Sequence, residues 1–400
     1  RMAEPDVQHT PWRIRCAQPP YDSLPIPRAD IPAGIILSRE GDAWIRKEGV
    51  ADIALAFMQG GMLNQFDFSQ KGWVSGTGLL ARWQPIGWLR KVLDPQFLMS
   101  HTDAGASVAV LKKIAFRRIA RNTDSRTLIG ALVCRMPCGD VASTLTARDF
   151  SSTAAFVLIL NSFVVDVVAR LRITGTHADY HYVREVPVLT PAFEHLSREI
   201  PELGLALSGA WTGCAPEWLE LGDRAVSWRQ GWGVMDHRRV EMRAKADALV
   251  AVCFGLTAGD LGHVFRGCDS PLGAPNGDAV PTGFWRVDRR RYPEHRLTVL
   301  SMVAFHDLLA RLARLNGRLD LASSEFVNER SALPWRLPIE LRLHDHRLGL
   351  DARASVLQPV AAAFGPRFCD WQLGQSAPES WRECEVHAAN LAAKVGARLA

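Results

Sequence analysis

Four arginines, Arg117, Arg118, Arg121 and Arg126, fall within ten residues of the stretch AFRRIARNTDSRTLIGALV (Ala115–Val133). Asn122, Thr123, Asp124 and Ser125 stand among them. A guanidinium is a planar fork that matches phosphate or guanine, and an asparagine amide matches adenine. The pattern therefore suits a loop that touches DNA, and a solvated turn is the plainer alternative. A second basic cluster is RVDRRRYPEHR (Arg286–Arg296), with Arg289, Arg290, Arg291 and Arg296 around Tyr292 and His295. A third is WQPIGWLRK (Trp83–Lys91), where Trp83 and Trp88 interleave with Arg82, Arg90 and Lys91. Arginine beside aromatic rings suits phosphate contact combined with base stacking.

Other constellations carry less. CAQPPYDS (Cys16–Ser23) is similar to the Asp/Asn-Pro-Pro-Tyr tetrad with which DNA adenine methyltransferases hold a flipped base. Gln18 occupies the first position, and its longer side chain would displace the amide by about 1.5 Å. Arg13–Cys16 is a poor apolar strand and no glycine-rich cofactor loop follows a strand anywhere, so a polyproline turn ending at Tyr21 is the simpler reading. No Gly-x-Ser-x-Gly elbow occurs, and His101 and His263 lack a neighbouring partner. Cys134 and Cys138, or Cys384 and His387 with Cys369, are weak zinc sets without a second close pair. His344, Asp345 and His346 read as a solvated loop, although the two histidines would share a strand face. No metal site is expected.

These residues sit in an ordinary globular composition, 48% hydrophobic and 22% charged, enough to build a sizeable core over 400 residues. Net charge is +5, which permits a polyanionic partner without demanding one. Seven cations are lysine and 40 are arginine, a bias that base composition alone can produce. The eight cysteines are scattered, which fits reduced thiols and a cytoplasmic protein. The chain opens on Arg1 and lacks a secretory signal, so it reads as part of a longer protein. Ala154–Val168 is the most apolar run, but Asn161 and Asp166 interrupt it, so a buried helix is expected and no membrane partner.

The pattern predicts an α+β fold. Residues 1–50 form a proline-rich extended lead-in. Residues 51–195 form a β-rich recognition domain, with strands over Val108–Ile119 and Thr127–Met136 flanking the arginine loop. Its long central buried helix covers 153–172, with Ser151 and Ser152 as cap candidates. A helical spacer follows over 196–315, with helices at 191–220, 236–256 and 296–315. Gly259–Asp288 reads as loop. Residues 316–400 are an arginine-rich irregular segment ending in a helix over 379–398. Asp166 and Arg170, one turn apart on the central helix, are expected to form a structural pair, with Asn161 structural as well.

Four blocks in order resemble the C-terminal region of type IIG-like adenine-specific DNA methyltransferases, found in restriction–modification and phage-defence systems. They are GGMLNQFDF (Gly60–Phe68), the arginine stretch itself, LILNSFVVDVVARLRITGTHADYHYVREVPVL (Leu158–Leu189) and RAKADALVAVCFGLTAGDLGHVF (Arg243–Phe265). The family commonly has His and Arg after Gln-Phe-Asp, where Phe68 and Ser69 stand here. The resemblance spans about residues 50 to 310 and lacks the catalytic part, which lies far upstream in the family. It implies a target-recognition module that reads double-stranded DNA and makes no bond itself. Arg117, Arg118, Arg121, Asn122 and Arg126 are expected at the bases or backbone, and Arg289, Arg290 and Arg291 at phosphates. No cofactor is expected in this chain; S-adenosylmethionine would serve the missing catalytic part, on a separate domain or subunit. The alternative is a protein-interaction or assembly subunit of a phage-defence complex, and a complete methyltransferase is a third option.

Overall fold

A computed structural model describes residues 50–100, 112–122, 124–173, 175–187, 199–265, 295–329 and 363–396 continuously, with short strands and single positions elsewhere. The fold is α+β.

The chain begins with short strands β1 (Met2–Ala3), β2 (Arg13–Cys16), β3 (Ile35–Leu37), β4 (Trp44–Arg46) and β5 (Val50–Ala56). A hairpin follows, β6 (Lys71–Ser75) with β7 (Arg82–Pro85), and then β8 (Leu98–Ser100). Strands β1, β8, β5 and β2 line up in that order as one antiparallel sheet.

The arginine stretch is a hairpin, as its pattern predicts. Strand β9 (Lys112–Arg117) pairs with β10 (Gly130–Cys134) on one side and β11 (Ala142–Leu145) on the other. Alternation along β9 sends Phe116 and Ile114 to the helical core and Ala115 to a smaller apolar cluster on the opposite face. β10 is an edge strand buried throughout, and helices satisfy its outward N–H groups. Gly130 N donates to Asn161 Oδ1 at 3.1 Å, and Leu132 N to Ser208 Oγ at 2.8 Å.

The expected central helix is two helices, α1 (Phe150–Leu160) and α2 (Phe163–Arg172), bent by 67°. Asn161 ends the first and Ser162 caps the second, its hydroxyl accepting from Val165 N at 3.2 Å. Asp149, not Ser151 or Ser152, caps α1, accepting from Ser152 N at 2.7 Å. Among the described residues no single helix is long and apolar enough to cross a membrane.

Short α3 (Tyr180–Arg184) precedes α4 (Glu199–Ser208) and α5 (Ala215–Leu221), which replace the single helix expected over 191–220. Gly209 and a short turn over Thr212–Cys214 separate them. Then come α6 (Asp236–Cys253), α7 (Ala258–Val264), α8 (Leu297–Arg314) and α9 (Leu319–Asn328). Two of these correct the expected loops. Thr257 and Asp260 make a capping box that starts α7, and α9 lies within the segment read as irregular. Short α10 (Asp370–Leu373) and α11 (Ala377–Gly396) complete the described chain, apart from a two-stranded ribbon of His344–Asp345 with Gly349–Leu350. The larger apolar cluster runs from Phe66 to Cys384 and draws on both sides of position 195.

Candidate nucleic-acid interface

The polar residues of the four blocks meet at one buried junction. Gln65 donates to Asn161 O at 2.7 Å and accepts from Arg243 Nη2. Phe66 takes a left-handed backbone, φ 58°, which is strained for a bulky residue. Its N–H donates to Gly130 O at 2.9 Å. Asn161 Nδ2 donates to the same carbonyl, also at 2.9 Å, and to Val157 O. Asn161 thus acts as an extra strand partner for Gly130, which is why the helix breaks there.

Asp166 is fully buried on α2 and holds the end of the arginine loop. Its Oδ1 accepts from Thr127 N at 2.8 Å and Leu128 N at 2.7 Å, and its Oδ2 from Arg170 Nε at 2.9 Å. Arg170 then donates to the carbonyls of Asp124 and Ser125. The pair is part of a clamp on the loop.

Arg126 is not at the surface. Its side chain is 4% exposed, its guanidinium lies 3.6 Å from the Phe163 ring centre, and Nη2 is 3.9 Å from Asp247 Oδ2. Burial pulls its pKa down to about 10 while Asp247 and Asp166 oppose that shift. Arg126 therefore leaves the set of DNA-facing residues: a cation enclosed by Phe163 and α6 has no path to a phosphate in this conformation.

Arg118 is half-buried and bridges Asp179 and Asp140, each at 2.6 Å. The hydrogen bond to Asp179, with the charge of Asp140, raises its pKa. Two carboxylates offset its charge, so it ties β9 to the following loops. Arg121 is exposed, and Arg117 and Asn122 are partly exposed. Neither arginine has an ion-pair partner among the described residues. Arg117 pairs across the sheet with Ala142, so it shares the face of the smaller apolar cluster. Arg290 is exposed, Arg291 lies 3.6 Å from Asp236 and against Phe364, and Arg289 lies outside the described residues.

A basic arm sits on that same face; it contains the third basic cluster of the sequence and adds Lys71 to it. Residues 68–93 carry Lys71, Arg82, Arg90 and Lys91 and not one acidic residue. β6 and β7 form its hairpin, and Trp83 and Trp88 pack on the smaller cluster. Lys91 is the clasp. Its side chain is 2% exposed, and its ammonium donates to both oxygens of Asp67 at 2.9 Å and to the carbonyls of Ser69 and Ile86. Burial lowers the Lys91 pKa, against the pull of Asp67. Trp88 is held between Lys91 and Arg239, whose guanidinium lies 3.8 Å from its ring centre. Lys71, Arg82 and Arg90 are exposed and have no ion-pair partner among the described residues. The signal available in sequence was the acid-free run itself, bracketed by Asp67 and Asp94.

The tetrad-like Gln18–Tyr21 and His346 lie outside the described residues. Cys134 approaches Cys214 and Glu217 instead of Cys138, with ligand atoms within 4.8 Å of one another. Arg135 engages both Glu217 oxygens at 2.6 Å, so that carboxylate is already committed to an ion pair. Cys384 bonds to Ala215 O, His387 to Glu383, and Cys369 contacts Met235. No family model, curated protein or solved structure matches the chain.

Proposed function

We propose that this chain is the double-stranded DNA recognition module of an adenine-N6 methyltransferase of the restriction–modification or phage-defence kind. It binds and orients duplex DNA and transfers no methyl group. S-adenosylmethionine belongs to a catalytic part on another domain or subunit, in the cytoplasm. The observation that carries this reading is the acid-free arm. Its three surface cations have no ion-pair partner among the described residues, Trp83 and Trp88 seat the arm on the cluster whose face Arg117 shares, and the Lys91–Asp67 clasp ties it to the junction of the four blocks. A surface of one sign concentrates a polyanion. Arg117, Arg121 and Asn122 supply the base-reading groups, and Arg290 a phosphate contact.

Fluorescence anisotropy of a labelled duplex across a salt series tests it. Affinity should fall steeply with salt, because each phosphate contact contributes about 0.9 to the logarithmic slope. The triple variant K71A/R82A/R90A should lower that slope by about 3. Arg117→Ala with Arg121→Ala should cost about 1–3 kcal/mol on the preferred site and relax its specificity. Absence of binding at low salt, or an unchanged slope in the triple variant, refutes the assignment. The second reading is an assembly subunit of a phage-defence complex, which the exposed leucines of the arm, Leu79, Leu80 and Leu89, favour. Co-purification with a methylase subunit in the absence of DNA, with no salt-dependent DNA binding, selects it.

A further inference from the structure

The tip of the β6–β7 arm carries two leucines that the fold leaves in water. Leu79 is 106% exposed and Leu80 81%. Isolated exposed leucines are ordinary, but two adjacent ones at a hairpin tip are a displayed apolar feature.

The tip is rigidly built. Trp73 and Trp83 face each other across the strands, and Trp73 Nε1 donates to Gly76 O at 2.8 Å. Leu80 N donates to Thr77 O at 3.0 Å, closing the turn that presents both leucines. Gly76 has φ +79°, and a Cβ there would meet Leu80 O at 2.3 Å. Only glycine permits that approach. The base of the arm is fixed separately by Lys91. A segment held at both ends with apolar side chains outward resembles a tool, not a frayed loop.

Charge decides what the tool meets. Lys71, Arg82 and Arg90 surround the tip in sequence, with no acidic residue from 68 to 93. Anionic lipid and DNA both match cations beside an apolar point. Two leucine side chains bury fewer methylenes than one myristoyl chain, which alone binds membranes only marginally. Leucine side chains do suffice to part stacked bases, and proteins that do so kink the duplex while basic residues hold the backbone. We infer that Leu79 and Leu80 form a wedge that enters a base step of duplex DNA and bends it, while Lys71, Arg82 and Arg90 hold the flanking phosphates. The wedge rests on the DNA-recognition reading and adds that the bound duplex is unstacked at one step. Flexible pyrimidine–purine steps resist this least.

The test uses the full chain and duplexes that carry 2-aminopurine at successive steps, with a donor–acceptor pair at the ends. The wild-type protein should raise 2-aminopurine fluorescence at one step and bring the ends closer. L79A/L80A should keep the salt slope, lose both signals and bind about tenfold more weakly, the cost of one specific contact. Both leucines are exposed, so the variant should melt with the wild type. Salt-dependent binding without either signal, or signals that survive in L79A/L80A, overturns the wedge and leaves DNA recognition standing. No salt-dependent binding at all overturns both. Leucine-dependent sedimentation with vesicles of phosphatidylcholine and phosphatidylserine, without unstacking, assigns the tip to a membrane surface and also overturns the wedge.

Discussion

Asp166→Ala should lower the free energy of unfolding by about 3–5 kcal/mol, the usual cost of removing one partner from a buried ion pair. Two backbone N–H groups, of Thr127 and Leu128, lose their acceptor, and the buried Arg170 guanidinium loses the carboxylate that its Nε donates to. The paired geometry is good, with all three distances under 3 Å, so little of the loss can be recovered by relaxation. Asp166→Asn keeps one acceptor oxygen and should fall between. Urea denaturation followed by circular dichroism gives both values. A loss below about 1 kcal/mol, the size of an ordinary neutral hydrogen bond, contradicts the clamp. Because Arg170 also holds the carbonyls of Asp124 and Ser125, the variant should loosen the loop bearing Arg121 and Asn122. Its DNA affinity should therefore drop by more than its folded fraction explains.

The hairpin was legible because two apolar runs flanked a cluster of turn residues, and β9 and β10 follow that pattern. α6, α8 and α11 were legible from their helical periodicity. The Asp166–Arg170 pair was visible because its spacing is local. What failed to show was tertiary. Arg126 sits among polar neighbours and reads as exposed, yet its surroundings are Phe163 and Asp247, far along the chain. The break at Asn161 depends on Gly130 needing a side-chain partner, which no window around Asn161 contains. Lys91 looked like a surface cation because its partner Asp67 lies across the whole arm. Leu79 and Leu80 would be assigned to a core by composition alone, and only the hairpin geometry puts them outside.

The second large effect concerns acid. Glu241 on α6 is buried and faces three cations: Arg238 at 3.1 Å, Lys245 at 3.1 Å and Arg367 at 3.0 Å. Burial alone would raise its pKa, but Arg238, Lys245 and Arg367 outweigh it and bring the carboxyl from its ordinary 4.5 to about 2. A carboxyl whose folded pKa is depressed binds fewer protons folded than unfolded between those two values. Its stabilisation is therefore complete above about pH 4.5 and is lost as pH falls towards 2. The shift corresponds to about 3 kcal/mol. Glu241→Gln should thus be less stable than wild type by about that amount at neutral pH, because Arg238, Lys245 and Arg367 all lose the charge of Glu241. The difference should shrink by more than half by about pH 3, as wild-type Glu241 loses its own advantage. Taking the difference at each pH removes the contribution of the other carboxylates, Asp320 and Glu383 included, which titrate alike in both proteins. Urea midpoints at neutral pH and at about pH 3 measure it. A gap that stays constant with pH means that Glu241 acts through shape and hydrogen bonding, and that the charge balance joining α6 to the segment around Arg367 is not what holds them together.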